Sequence, residues 1–270
     1  MKKRIKHLTF CYLIFLVSFI GSSAATGTLS DILYACAFVL PTAIGIALIG
    51  GEREDAVAPL KLNRDGAIMT VFALSPTVII VASLSYLSAL LIFVSTGKTD
   101  PVDVGDSFLL ALISWVLVPA VTEEILFRYL PLRMLGGLNK RVCIILSATF
   151  FSLAHFSPFQ LIYAFVAGAI FMIIDLSADS IVPSLIIHFA NNLLSLSIIM
   201  YGGTTAGKIV INVIVSLLLC LSLVIFIIHR KIIIAKIRSA FSFKERYGFD
   251  PEPLLYIIPA LTVGLAEFLS

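Results

Sequence analysis

The sequence has few charged residues. Only 13% of its 270 residues are Asp, Glu, Lys or Arg, where a soluble domain has about a quarter. Apolar residues make up 60%, and the mean hydropathy is +1.08. The apolar residues form runs close to the roughly 20 residues that a helix needs to cross a bilayer. This composition excludes a soluble globular domain and predicts an all-α integral membrane protein.

Several informative motifs are also missing. The four cysteines lie singly in apolar runs without a Cys-x-x-Cys pair, which argues against a thiolate metal site or a redox site. The chain has no Gly-rich phosphate loop, no internal repeat and no His-Glu-x-x-His helix. A basic stretch after the last apolar run alternates cations with Ile and Phe. It suits anionic lipid headgroups rather than nucleic acid.

The apolar runs predict about eight transmembrane helices. A shorter apolar stretch, 254–269, contains Pro259 and Glu267, and we interpret it as an interfacial helix. The fifth and sixth runs are joined by three residues only, which predicts a tight hairpin. The predicted spans are 8–25, 31–50, 67–95, 107–130, 142–157, 160–177, 181–200 and 209–229.

The basic residues predict the orientation. With the N-terminus in the cytoplasm, 17 of the 19 Lys and Arg residues fall on cytoplasmic segments, and only Lys98 and Lys208 lie outside. This asymmetry follows the positive-inside rule and places both termini in the cytoplasm. A multi-pass protein of a bacterial plasma membrane is the expected setting.

The start of the chain has a second interpretation. Three basic residues, an apolar stretch and the small residues 21–25 resemble a secretory signal. Its cleavage would leave seven spans with the N-terminus outside. We favour the uncleaved form.

The fourth span carries charges that are expensive inside a bilayer and therefore mark a functional site. Glu124 and Arg128 are four residues apart, so they share one helix face and should form an ion pair. Glu123 points about 100° away from Glu124, without a local partner. It is the candidate general base. A structural alternative is that both acids neutralise Arg128.

Histidines and an asparagine occur in two further spans. Glu123 and His155 lie at similar distances from the turn between spans four and five, so we expect them at matching depth. His188 and Asn192 are four residues apart and project from one face of span seven, in the same broad layer. Asn191 is better explained as a helix–helix hydrogen-bonding residue.

These side chains suit two kinds of chemistry. A carboxylate can deprotonate water while donors stabilise an oxyanion, which is water-activated hydrolysis. Glu123, His155 and His188 could instead ligate a metal such as zinc. The residues alone leave both alternatives open, so no cofactor is assigned.

The ordered motifs resemble a known family. Glu123-Glu124-x-x-x-Arg128, Phe151-x-x-x-His155 and His188-x-x-x-Asn192 are similar to the motifs of the CPBP family, the CAAX prenyl proteases and bacteriocin-processing or Abi intramembrane proteases. The resemblance runs from about Leu109 to Leu194 and includes the small-residue stretch 164–168. Three motifs in this order on separate apolar runs are a specific signal.

The resemblance implies a role for each motif residue. Glu123 would activate the water with help from His155, and His188 and Asn192 would form the oxyanion hole. Glu124 and Arg128 would hold the motif helix, and Phe151 would line the cavity.

The family also implies a division of the chain and a function. Residues 107–200 would be the catalytic core, 1–106 N-terminal helices without the signature, and 201–270 a last span with a basic segment and a short apolar helix. The expected activity is an intramembrane endopeptidase acting on a peptide or membrane-protein substrate, such as a pheromone or a bacteriocin. The metal requirement stays open. The alternatives are a non-catalytic immunity or regulatory protein that binds a peptide or a sensor, and, less favoured, a proton-coupled transporter.

Overall fold

The computed structural model describes residues 2–24, 28–49, 60–97, 107–135, 140–155 and 157–241. Within these ranges the chain forms helices and no strand. Each of the eight predicted apolar spans coincides with one helix. The helices are α1 (Lys2–Ala24), α2 (Thr28–Ile49), α3 (Arg64–Thr96), α4 (108–135), α5 (Lys140–Leu153), α6 (Pro158–Ala178), α7 (Val182–Tyr201) and α8 (Thr205–Phe241).

Five of these helices are long and apolar enough to cross a bilayer, namely α3, α4, α6, α7 and α8. The described apolar parts of α1 and α2 are shorter, at Lys6–Ser22 and Cys36–Ile49. The prediction of an all-helical, multi-pass membrane protein is confirmed. The count of eight spans and the cytoplasmic position of both termini stay predictions. The interfacial helix expected at 254–269 lies outside the described residues.

Helix α5 ends earlier than predicted. It stops at Leu153, and His155 lies in the turn that follows rather than inside the helix. The next helix starts at Pro158, and a residue before proline is disfavoured in helical geometry. Ser157 is accordingly extended, with φ −129° and ψ 125°. The chain therefore leaves α5 before the α5–α6 hairpin closes, and His155 lies just after the end of α5.

Helix α4 combines α-helical and π-helical turns. The π-helical turns are Leu112–Leu117 and Ile125–Tyr129, where the N–H of Leu130 bonds to the carbonyl of Ile125 five residues back. Such turns are rare in proteins, and those that occur are often at functional sites. The second one begins directly after Glu124. It therefore sets the rotation of Arg128 relative to the two glutamates.

The largest apolar cluster joins helices from before the motif region to those that carry the motifs. Tyr12 of α1 stacks on Phe150 with ring centroids 4.1 Å apart, and Phe15 meets the ring of Phe127 edge-on at 5.7 Å. Cys11, Tyr12 and Phe15 are all buried in this cluster. These contacts attach α1 to the helices that carry the motifs, and the uncleaved form of the chain stays a prediction. The division at residues 106 and 200 stays a prediction.

Serine hydroxyls join neighbouring helices. Ser147 of α5 donates to the carbonyl of Phe127 at 2.5 Å, and Ser152 donates to the carbonyl of Leu161 in α6 at 2.6 Å. Interhelical hydrogen bonds of this kind contribute about 0.6 kcal/mol each on average in membranes. They fix α5 between α4 and α6, which is where the site lies.

Candidate active site

The two adjacent glutamates of α4 have different surroundings. Glu124 and Arg128 are fully buried, and the guanidinium Nη1 lies 3.2 Å from Oε1 of Glu124. The side chain of Glu123 remains 12% exposed. The predicted pairing of Glu124 with Arg128 is therefore present, and Glu123 faces another direction. Burial without solvent makes the ion pair costly to break from either side.

The guanidinium of Arg128 lies against aromatic rings. Its central carbon is 3.9 Å from the centroid of the Phe151 ring and 5.2 Å from that of Phe171. A cation over a ring face is attracted by the ring quadrupole, more strongly when desolvated. Phe151 therefore covers the buried cation, a contact that the sequence did not predict.

Close approach of α5 and α6 sets the position of Phe151. A Cβ added at Gly168 would lie 3.0 Å from the Cα of Ala148 and 3.2 Å from a ring carbon of Phe151. Such distances are shorter than ordinary van der Waals contact. The glycine thus lets the backbones approach and leaves the ring room to cover Arg128.

His188 lies between the two glutamates. Its Nδ1 is 2.7 Å from Oε1 of Glu124, and its Nε2 is 3.9 Å from Oε2 of Glu123. A carboxylate paired with an arginine accepts, so Nδ1 carries a hydrogen and donates to Glu124. The Nε2 separation is too long for a direct hydrogen bond, and both atoms can reach a water placed beside them.

His155 is held at the end of α5 by its own helix. Its Nδ1 lies 2.7 Å from the carbonyl oxygen of Phe151. A carbonyl only accepts, so Nδ1 donates, and in the neutral ring Nε2 is left as a proton acceptor. The ring contacts Phe151 edge-on at 4.9 Å, and His188 contacts the same ring at 5.7 Å. His155 also lies close enough to Glu123 to interact with it electrostatically.

The two asparagines of α7 follow His188. Asn192 lies one turn beyond it and is half-buried. The amide Nδ2 of Asn191 is 3.5 Å from Oδ1 of Asn192. The neighbouring amide can therefore orient Asn192, whose own Nδ2 hydrogens can then point to other acceptors.

The predicted residues form two layers. The buried layer consists of Glu124, Arg128 and His188, whose side chains are at most 5% exposed. The accessible layer consists of Glu123, His155 and Asn192, which are partly exposed. Glu124 contacts Arg128 and His188 directly, and Glu123 lies within electrostatic range of His188 and His155. Asn192 lies on the face of α7 that carries His188.

Two further polar residues adjoin the buried layer. Asp175 of α6 and Ser184 of α7 are fully buried, and the backbone N–H of Ser184 donates to Oδ1 of Asp175 at 3.1 Å. The Ser184 side chain lies beside Glu124 as well. The sequence did contain a signal for Asp175, because it is an acid inside the apolar run 160–177. Ser184 carries no such signal.

A metal site does not form from the predicted ligands. Across the residues that the structure describes, no three His, Cys, Asp or Glu side chains lie close enough together to hold a metal ion. Glu123, His155 and His188 are among the described residues, and the bond of His188 Nδ1 to Glu124 leaves Nε2 as its one possible ligand atom. The donor set does not fit zinc in this arrangement.

Comparison with known proteins supports the resemblance in the motif region. Residues 105–194 match the family model Rce1-like, described as type II CAAX prenyl endopeptidase Rce1-like. No curated protein and no solved structure gives a significant match. The matched segment contains all three motifs and spans α4 to most of α7. It carries the signature of the CPBP intramembrane proteases, the family that the motifs predict.

Proposed function

We propose that the chain is an intramembrane endopeptidase that hydrolyses a peptide bond with a water activated by Glu123. The observation that supports this most directly is the placement of His188 between a fully buried glutamate at 2.7 Å and a partly exposed one at 3.9 Å. One acid orients the imidazole, and the other faces the side from which water and substrate arrive.

The first step moves one proton. Glu123 takes a proton from water as the water oxygen attacks the carbonyl carbon of the peptide. His155 assists through Nε2, which its bond to the Phe151 carbonyl leaves as the accepting nitrogen. The products of this step are a protonated Glu123 and a tetrahedral intermediate with a negative oxygen.

Donors stabilise that oxygen. Asn192 offers amide hydrogens, and His188 donates from Nε2 when its ring carries both protons. In that form Nδ1–H donates to Glu124, and the negative charges of Glu123 and Glu124 balance the positive charges of Arg128 and His188. The negative charge moves from Glu123 to the oxyanion, so the net charge of the site stays constant in a medium of low dielectric. The C–N bond then breaks, and the leaving amine takes the proton from Glu123.

The proposed substrate is a peptide or the membrane-embedded end of a protein. Glu123, His188 and Asn192 lie on α4 and α7, which are long and apolar enough to cross a bilayer, so a membrane-associated chain is the expected substrate. A bacterial plasma membrane is the proposed location. A prenylated CAAX substrate is not expected there, because prenylated CAAX proteins are eukaryotic, so peptides or membrane proteins are the proposed substrates.

The test compares Glu123→Gln with the wild-type protein in vesicles. We expect the variant to lose hydrolysis while keeping its thermal stability, because the described residues give Glu123 no ion-pair partner closer than His188 at 3.9 Å. General-base catalysis contributes about 10²–10⁴-fold, which sets the expected loss. The inactive variant should retain uncleaved substrate, which a pull-down from membranes with mass spectrometry identifies.

The matched control is Thr122→Val on the same helix. Its hydroxyl bonds to the carbonyl of Val118 on its own helix, so activity should be unchanged. Full activity of Glu123→Gln, His155→Ala and His188→Ala would reject the peptidase and leave a protein that only binds its partner.

A further inference from the structure

Asp175 is a fully buried acid that the proposed chemistry does not use. It lies three residues before the end of α6, on the helix that also supplies Phe171 to the cover of Arg128. An ionisable group at this depth costs about 2.5–3.5 kcal/mol on insertion scales. Its contacts, rather than its exposure, must therefore explain its presence.

The start of α7 shows what Asp175 contacts. The first backbone N–H groups of a helix have no partner inside the helix. Here Ser180 Oγ accepts from the N–H of Val182 at 3.1 Å, and Pro183 has no N–H. The N–H of Leu185 bonds to the carbonyl of Ile181 at 3.2 Å. The N–H of Ser184 is left, and it donates to Asp175.

The capping acid thus comes from the preceding helix. Ile181, at the N-cap position of α7, makes no side-chain cap hydrogen bond. Asp175, nine residues before Ser184, closes the α6–α7 turn from the other side. The backbone carbonyl of Asp175 also accepts from the N–H of Ser180 at 3.2 Å. Asp175 therefore binds both sides of the turn between α6 and α7.

Ser184 connects the turn to the site. It lies one turn before His188 on the same face of α7 and also lies beside Glu124. A shift or rotation of the first turn of α7 would move the His188 ring relative to Glu124 Oε1, a contact of 2.7 Å. Misplacement by about 1 Å can cost about 10²-fold in rate.

We propose that Asp175 is a positioning residue: by accepting the Ser184 N–H it fixes the first turn of α7, and so holds His188 in contact with Glu124 and directed at the substrate oxygen. This rests on the proposed peptidase function. The acceptor oxygen is what matters, so an amide can replace the acid while an alkyl side chain cannot.

The experiment measures kcat and KM for Asp175→Asn and Asp175→Leu in vesicles. Asparagine keeps the acceptor oxygen and should give near wild-type kcat. Leucine has a similar size without an acceptor, and its kcat should fall about 100-fold with KM unchanged, because His188 acts mainly in the transition state. The control is Ser177→Ala, a buried serine whose hydroxyl bonds to Ile173 on its own helix, and it should behave as wild type.

A second readout does not depend on activity. The ¹⁵N chemical shifts of His188 report the Nδ1–H bond to Glu124, and they should change in Asp175→Leu and stay unchanged in Asp175→Asn and Ser177→Ala. This holds even if the wild-type protein cleaves no peptide, so failure of the peptidase function and failure of this proposal are distinguishable.

If Asp175→Leu does not fold, Asp175→Glu carries the test. It keeps the acid but displaces the oxygen by one methylene, so kcat should fall with the His188 shifts altered. Wild-type kcat and unchanged His188 shifts in Asp175→Leu or Asp175→Glu would overturn the proposal. So would an Asp175→Asn variant as impaired as Asp175→Leu.

Discussion

The two layers of the site contain similar residue types but differ in what surrounds them. In the buried layer Glu124 meets Arg128 and His188, and the aromatic rings of α5 and α6 cover the cation. In the accessible layer Glu123 has no ion-pair partner closer than His188 at 3.9 Å in the described part of the chain. The same carboxyl group is structural in one position and available for chemistry in the next. Substitution of Glu124 or Arg128 should therefore affect stability, and substitution in the accessible layer should affect rate.

The largest expected effect lies in the buried layer. Arg128→Met removes the cation and leaves the buried Glu124 with His188 as its remaining ion-pair partner among the described contacts, and loss of one member of a buried pair typically costs about 3–5 kcal/mol. We expect this loss in the free energy of unfolding, measured in detergent micelles. Adding Glu124→Gln should recover part of it, because both charges are then gone. A double variant no more stable than Arg128→Met would contradict the pairing as the source of the loss.

The accessible layer should lose rate and keep stability. Asn192→Ala removes an oxyanion donor and should lower kcat by about 10²–10³-fold with little change in thermal stability. Asn191→Ala is the matched control and should lower kcat much less, since the Asn191 side chain acts only through its long hydrogen bond to Asn192 in the described contacts. Equal losses in the two variants would place the oxyanion donor elsewhere.

The aromatic cover is expected to give a smaller effect. Phe151→Leu removes the ring over Arg128, and Phe150→Leu removes a ring that stacks on Tyr12 instead. Both variants lose similar volume. The part of the Phe151→Leu cost that disappears in an Arg128→Met background, beyond any such change for Phe150→Leu, measures the cation–ring contact at about 0.5–2 kcal/mol. If Arg128→Met leaves the difference intact, the contact does not depend on the cation.

The smallest effect concerns the hydrogen bond that attaches α5 to α4. Ser147→Ala removes the bond to the Phe127 carbonyl between α5 and α4 and should cost about 1 kcal/mol of stability. Thr149→Val is the control, because its hydroxyl bonds to its own helix. Activity should survive in both. A strong loss of kcat in Ser147→Ala alone would show that the contact also aligns the two layers.

Much of the helical organisation was predictable from the sequence. Uninterrupted apolar runs have one stable form in a bilayer, so each of the eight runs corresponds to a helix. The pair Glu124–Arg128 follows from spacing within one helix, and it is present. These features depend on local sequence alone.

Features that depend on how one helix faces another were not predictable. The bond between His188 and Glu124 joins residues on α7 and α4, and no spacing rule sets the rotation of one helix against another. Phe171 is one of many apolar residues in the sequence of α6, and its contact with Arg128 is what distinguishes it. The π-helical turn after Glu124 adds a rotation that regular helix periodicity does not contain. The roles of Glu123, His155, His188 and Asn192 stay predictions.

The packing of α1 has a consequence for assembly during synthesis. Tyr12 and Phe15 enter the membrane well before their partners Phe127 and Phe150 are made. Until then Phe15 has the ring of Phe38 in α2 as a described partner, and lipid can occupy the places of Phe127 and Phe150. The late arrival of α4 and α5 must therefore displace lipid from α1 before the core closes. A chain arrested before α5 would hold the glutamates of α4 in the membrane without their histidines, so the proposed peptidase would remain inactive until its synthesis is nearly complete.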